Sequence, residues 1–194
     1  MKPQLILASQ SPRRRELMGT MRLPYTSVDV EVDEHLDDVA SMAPDRVVLT
    51  LAERKAAAAS ALHAEQWVLG ADTVVYAQGH VLGKPVDAQD ARRMIALLRD
   101  AWHEVHTGVC LITPDGTRHL RHACSRVHFV ALTDAQVDAY VGTGEPFGKA
   151  GAYAIQGTAG MYIDMIEGSF SNVIGLPTQA VHALLSAAGF PLPL

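Results

Sequence analysis

Residues 5–30, LILASQSPRRRELMGTMRLPYTSVDV, read as strand, helix, strand. The LILAS run is apolar and short, as a buried strand is. Ser11 is of the helix-capping type, Pro12 suits the first helical position, and Leu17 and Met18 begin an apolar side, so a helix is predicted over 11–20. YTSVDV then alternates its faces as a strand does. The helix carries one local penalty. Arg13, Arg14 and Arg15 sit at the positive end of its dipole, where each cation is disfavoured by about 0.3–1 kcal/mol. Either these side chains form a solvated face, or the helix N-terminus and the guanidinium forks together hold phosphate oxygens, with Ser9 adding a hydroxyl.

Working outward, the acidic stretch EVDEHLDDVASMAPD leads into a helix from about Pro44 to His63. Val47, Val48, Leu51 and Ala52 make its apolar stripe, and Arg54 and Lys55 are expected towards its polar side. WVLGADTVVY, residues 67–76, is an apolar run suited to a central strand and interrupted by one acid, Asp72. Unpaired in such a strand, that carboxylate would cost several kcal/mol of desolvation. It is either a strand-end aspartate bonded to local backbone or a metal ligand or general base.

A turn at Gln78-Gly79 gives a return strand, HVLGKP, and Asp87 starts an amphipathic helix through Met94, Leu97 and Leu98. Two longer strands flank TPDG; Thr133 and Gln136 have capping-box spacing for a helix over 133–141. A glycine-rich segment, GTGEPFGKAGAYAIQGTAG, follows, then strand pairs around EGS and a last helix from Pro177. Early alternation of strand and helix with later hairpins predicts an α/β fold with a mixed sheet and flanking helices. Two lobes in one domain are expected.

The chain has 194 residues, a hydrophobic fraction of 48% and a net charge of −5, enough for a substantial core and without a global positive field for nucleic acid or anionic membrane. Its opening apolar stretch is too short for a signal sequence, and no run reaches the roughly 18 apolar residues of a membrane span, so a soluble, cytoplasmic protein is expected. Cys110 and Cys124 are expected as free, reduced, mostly buried thiols, because a hairpin at Pro114-Asp115-Gly116 pairs position 110 near 120 or 121. His103/His106 and His119/His122 are spaced by three in strands and point to opposite faces, which argues against a histidine metal site. Neither a G-x-x-x-x-G-K-[ST] loop nor G-x-G-x-x-G occurs, so any nucleotide is held another way. Glu31, Asp33 and Glu34 form an acidic knot that is either solvated or shares a metal with Asp72. Lys55 and Lys84 are surface salt-bridge formers or ligand-binding cations, and Gln156 either satisfies buried backbone groups or reads the edge of a base.

Taken in order, LASQSPRRREL, VDE, AERKA, LGADTVV, LGKP, HEVHTGV, GEPFGKAGAYAIQG and NVIGLP resemble the Maf family of nucleoside triphosphate pyrophosphatases over nearly the whole chain. The resemblance implies an elongated two-lobed α/β fold with a central cleft, related to the inosine triphosphate pyrophosphatases and often dimeric. It implies hydrolysis of a nucleoside triphosphate to monophosphate and pyrophosphate with a divalent metal, Mg²⁺ or Mn²⁺. Asp72 matches the family's proton acceptor; Ser9, Arg13, Arg14, Lys55 and Lys84 match polar and cationic cleft residues; and Glu34 matches an acidic cleft position, which with Asp72 would hold the metal. Arg13, Thr73 and Gln156 match positions associated with substrate choice. Gln156 and the GMYIDMIEGSFSNVIGLP segment resemble the branch acting on dTTP and UTP more than the branch acting on 7-methyl-GTP. Arg15 exceeds the two arginines of the family motif and is expected to face solvent. The alternatives are the 7-methyl-GTP activity and a non-catalytic nucleotide-binding regulator.

Overall fold

The computed structural model describes residues 4–35 and 42–192; the part of the acidic stretch at 36–41 lies outside the described residues. Seven strands form one mixed sheet in the order β2-β1-β3-β5-β6-β7, with β4 paired to β3. They are β1 Leu5–Ala8, β2 Tyr25–Val28, β3 Trp67–Ala77, β4 His80–Leu82, β5 Ala101–Ile112, β6 Arg118–Phe129 and β7 Ile163–Glu167. The helices are α1 Pro12–Thr20, α2 Pro44–Leu62, α3 Ala88–Leu98, α4 Asp134–Gly142, α5 Phe170–Ile174 and α6 Thr178–Ala187. β1 pairs in parallel with both β2 and β3, while β3 with β4 and β6 with β7 are antiparallel, as the mixed pattern of the sequence predicts.

The chain divides into two compact units. The first holds residues up to Asp72, Thr107–Ala123 and Gly175 onwards; the second holds Thr73–His106 and Cys124–Ile174. In the first unit Ile6, Ala8, Ala52, Ala56, Ala59, Val68, Cys110 and Ile112 pack together. β1 is buried along its full length, each of its larger aliphatic side chains contributing about 1.5–3 kcal/mol of transfer free energy. Helix α2 lies close against two strands of this unit because glycines face it. A Cβ on Gly70 would stand 2.4 Å from the Ala52 carbonyl oxygen, and one on Gly108 would stand 2.4 Å from that of Val48.

The second unit has its own core, including Val75, Leu82, Met94, Leu98, Phe129, Tyr140 and Tyr153. Its helices begin where the sequence signals place them. Asp87 Oδ1 accepts from the Asp90 N–H at 2.7 Å, and Thr133 with Gln136 makes a complete capping box.

Two expectations are corrected. Strand pairing was expected on both sides of EGS, but only β7 precedes it, and residues 170–174 form α5. Ser169 stops the strand: its carbonyl accepts from the N–H groups of Asn172 and Val173, and its hydroxyl accepts from the Asn172 N–H at 3.3 Å. Asn172 then anchors the turn by donating to the Val105 carbonyl at 2.9 Å and to Ser125 Oγ at 3.0 Å. The cysteines are both free, but only Cys110 is buried, where desolvation pushes its thiol up to about 12; Cys124 is exposed because it lies on the outward face of β6.

Candidate active site

In the first unit, β1 ends at Ala8 and delivers the buried Ser9 to the mouth of α1. The Ser11 N–H donates to Ser9 Oγ at 3.2 Å, and Ser11 Oγ caps the helix by accepting from the Arg14 N–H at 3.4 Å. The three arginines of that first turn do different work. Arg14 donates from Nε to the Gly175 carbonyl at 2.7 Å, which fixes its side chain. Burial lowers the pKa of both Arg13 and Arg14, and the Asp72 and Glu34 charges oppose it at Arg14. Arg15 was expected to face solvent. Its side chain is 41% exposed and also ties the strand ends together, donating to Ser27 Oγ at 3.0 Å and to the Ser9 carbonyl at 3.3 Å, and pairing with Asp29 at 2.6 Å. It is a positioning residue for the Ser9 turn.

Asp72 lies two residues beyond Gly70 on β3, and Lys55 lies one turn beyond Ala52 on α2. The close approach at Gly70 therefore brings these two side chains together. Lys55 Nζ meets Asp72 Oδ1 at 2.5 Å and Glu34 Oε1 at 2.6 Å. Lys55 was expected near the polar side of its helix; it is 9% exposed, and Asp72 is 8% exposed. The alternative of a strand-end aspartate held by local backbone gives way to a buried ion pair. Glu34, with a side chain 45% exposed, comes from the acidic loop, which Arg54 anchors by donating to the carbonyls of Asp33 and His35, each at 2.9 Å.

Glu34 and Asp72 present carboxylate oxygens converging on one cationic point. Mg²⁺ commonly takes one or two carboxylates, with substrate phosphate oxygens and water completing its shell, so this donor set fits a hard divalent ion.

The second unit carries the other expected site residues: Thr73 is half-buried, and Lys84 and Gln156 are exposed. Gln156 is therefore not the buried backbone-satisfying amide of one expectation. The loops bearing Lys84 and the K-A-G-A-Y segment meet through the Gly151 N–H, which donates to the Gly83 carbonyl at 3.0 Å. Gly151 has φ of +66° and packs onto Val75, where a Cβ would come within 2.6 Å.

Sequence reasoning missed Glu145. Its carboxylate accepts from the Thr158 N–H at 2.8 Å, the Ala159 N–H at 3.2 Å and the Tyr140 hydroxyl at 3.1 Å, and Gly157 leaves room for it. Burial pushes this carboxyl up, but those hydrogen bonds outweigh it and hold its pKa below the ordinary value. Glu145 thus fixes the turn that presents Gln156. Its only sequence signal is an acid within a glycine-rich loop, which does not reveal its partners.

The arrangement defines a class: a mixed α/β protein whose first helix turn carries arginines beside a buried lysine and two carboxylates. The sequence pattern of the Maf-like proteins matches residues 4–188, and the chain belongs to that family. It is 47% identical, over its full length and 98% of the relative, to a dTTP/UTP pyrophosphatase of Anaeromyxobacter dehalogenans strain 2CP-C. It is 44% identical to a dTTP/UTP pyrophosphatase of Moorella thermoacetica, covering 96% of this chain and 95% of the relative. Its fold is similar to the Staphylococcus aureus Ham1 protein, with a TM-score of 0.50 at 10% identity over 95% of this chain and 99% of that one.

Proposed function

We propose that this chain hydrolyses dTTP, UTP or modified pyrimidine nucleoside triphosphates to the monophosphate and pyrophosphate. The observation that carries the reading is Lys55 bridging Asp72 and Glu34, a set of groups equipped to handle a proton and a phosphate-bound cation. Relatives of this length and identity named for dTTP and UTP support the choice of nucleotide.

Asp72 accepts the proton of the attacking water, and Lys55 holds that carboxylate in place. Ser9, Arg13 and Arg14 bind phosphate oxygens, with the N-terminal N–H groups of α1 aimed the same way. The dipole penalty on the arginine run is reversed once an anion lies between the helix pole and the guanidinium groups. Glu34 and Asp72 would hold a divalent cation, Mg²⁺ or Mn²⁺, which when bound supplies neutralisation of phosphate charge. Lys84 adds a cation for the leaving pyrophosphate, while Thr73 and Gln156 select the base. Residues 1–194 act as one domain, in a cytoplasmic setting and as a homodimer.

The test is pyrophosphate release from the purified chain with Mg²⁺ or Mn²⁺ across dTTP, UTP, CTP, GTP, ATP and 7-methyl-GTP. The expected outcome is highest kcat/KM for dTTP and UTP. Preference for 7-methyl-GTP would place the chain in the other branch, and tight binding with no turnover would make it a regulator.

A further inference from the structure

One cluster lies outside the residues assigned above, wholly within the second unit. Along β5, Trp102, Glu104 and His106 share one face by the two-residue period of a strand; along β6, Cys124, Arg126 and His128 share one. The neighbouring strands bring three donor types to one place: His106 Nε2 lies 2.8 Å from Glu104 Oε2 and 3.8 Å from Cys124 Sγ, and all three donor atoms lie within 4.8 Å of one another.

We infer that Glu104, His106 and Cys124 form a binding site for a borderline-soft divalent transition ion of the Zn²⁺ type, distinct from the carboxylate pair Glu34 and Asp72.

The donor chemistry selects the ion. Nitrogen, thiolate sulfur and one carboxylate oxygen suit Zn²⁺, whereas Mg²⁺ demands oxygen ligands. The spacing suits it as well. Tetrahedral bonds of about 2.0–2.1 Å to nitrogen and oxygen and about 2.3 Å to sulfur separate adjacent donors by roughly 3.3–3.6 Å, between the hydrogen-bonded and sulfur distances present here. Small side-chain rotations close that difference, and the strands need not move. Three protein ligands leave a fourth position, and the exposed Cys124 with the partly exposed Glu104 keeps it open to water.

Neighbouring charges permit a cation. Arg126 is paired with Glu167 at 2.7 Å and lies 4.6 Å over the Trp102 ring, and His128 is paired with Asp164 at 2.7 Å. On binding, the thiol proton leaves to solvent, the imidazole takes the tautomer with hydrogen on Nδ1, and the Glu104–His106 hydrogen bond is exchanged for two bonds to metal. The ion then clamps β5 to β6.

The experiment titrates the full-length, chelator-treated chain with Co²⁺ alone, in the absence of nucleotide. The expected result is a thiolate-to-cobalt charge-transfer band in the near ultraviolet that saturates at one ion per chain and is displaced by Zn²⁺ but not by excess Mg²⁺. Cys124→Ser removes the band and His106→Gln weakens binding at least tenfold, while Asp72→Asn retains the band. Zn²⁺ also raises the melting temperature of the parent but not of Cys124→Ser. No charge-transfer band in the parent overturns the inference. So does a band that survives Cys124→Ser, which would assign it to Cys110, or one lost in Asp72→Asn. Cys124 is exposed and serine is its near isostere, so that comparison does not depend on a core residue.

Discussion

Asp72 and Gln156 divide the proposed chemistry between proton and base. Asp72→Asn is nearly isosteric and removes both the charge facing Lys55 and the basicity. It should keep the melting temperature within a few degrees while lowering kcat by about 10²–10⁴-fold, measured as pyrophosphate release. A variant with parental kcat would remove Asp72 from the reaction. Gln156 offers both a donor and an acceptor, matching part of the donor-and-acceptor edge of uracil or thymine, whereas an ionised glutamate cannot donate. Gln156→Glu should therefore cost about 1–3 kcal/mol in kcat/KM for UTP and dTTP and less for purine nucleotides. The ratio of kcat/KM for UTP over GTP measures this, and an unchanged ratio would show that the exposed amide does not read the base.

Elements position these residues through contacts that a single substitution can break. Gly70→Ala puts a methyl group where the α2 backbone passes, so either the helix or the strand must shift. The cost is about 1–3 kcal/mol or more, read as a lower denaturation midpoint, with loss of kcat as Lys55 moves from Asp72. An unaltered midpoint would contradict the close packing. Glu145→Gln tests the turn beneath Gln156. A neutral amide has one oxygen to offer where the carboxylate uses two, so the Thr158 and Ala159 N–H groups lose at least one good acceptor. The expected result is a raised KM for UTP with kcat changed less, together with faster amide exchange at residues 157–159; equal exchange would make Glu145 dispensable to that turn.

For the molecule as a whole, the buried His103 makes stability depend on pH through the second unit's core. Its Nε2 is 2.8 Å from the Tyr153 hydroxyl, its Nδ1 has no hydrogen-bond partner among the described residues, and desolvation, with a smaller contribution from the His128 charge, lowers its pKa to about 3. Unfolding returns it to its ordinary value of about 6.5, so the unfolded state binds the extra proton. Its full contribution is present above pH 6.5 and is lost as pH falls from there towards 3. Between pH 7 and pH 5 this group alone should reduce unfolding free energy by about 2 kcal/mol, checked by urea denaturation against His103→Gln. An identical pH slope in parent and variant would refute it. Among the described residues, no helix is long and apolar enough to cross a membrane.

What the sequence alone determined is what short-range chemistry decides. Ser11-Pro12, Asp87 and Thr133 with Gln136 mark helix starts because each cap satisfies N–H groups within a turn of itself. The short apolar run LILAS and the alternation of YTSVDV mark strands for the same local reason, and the motif order was enough to indicate the family. Tertiary structure decided the rest. Lys55 shares the buried side of α2 with Val48, Ala52, Ala56 and Ala59, yet it takes the distant Asp72 and Glu34 carboxylates to explain why a lysine is tolerated there. Arg15 became a brace because Ser27 and Asp29 lie on the adjoining strand and beyond its end, and residues 170–174 became helical because Asn172 finds Val105 and Ser125. Each outcome depends on a partner many residues away along the chain. Local preferences are worth tenths of a kcal/mol to about one per residue, while satisfying a buried charge or amide is worth several, so the distant partner wins.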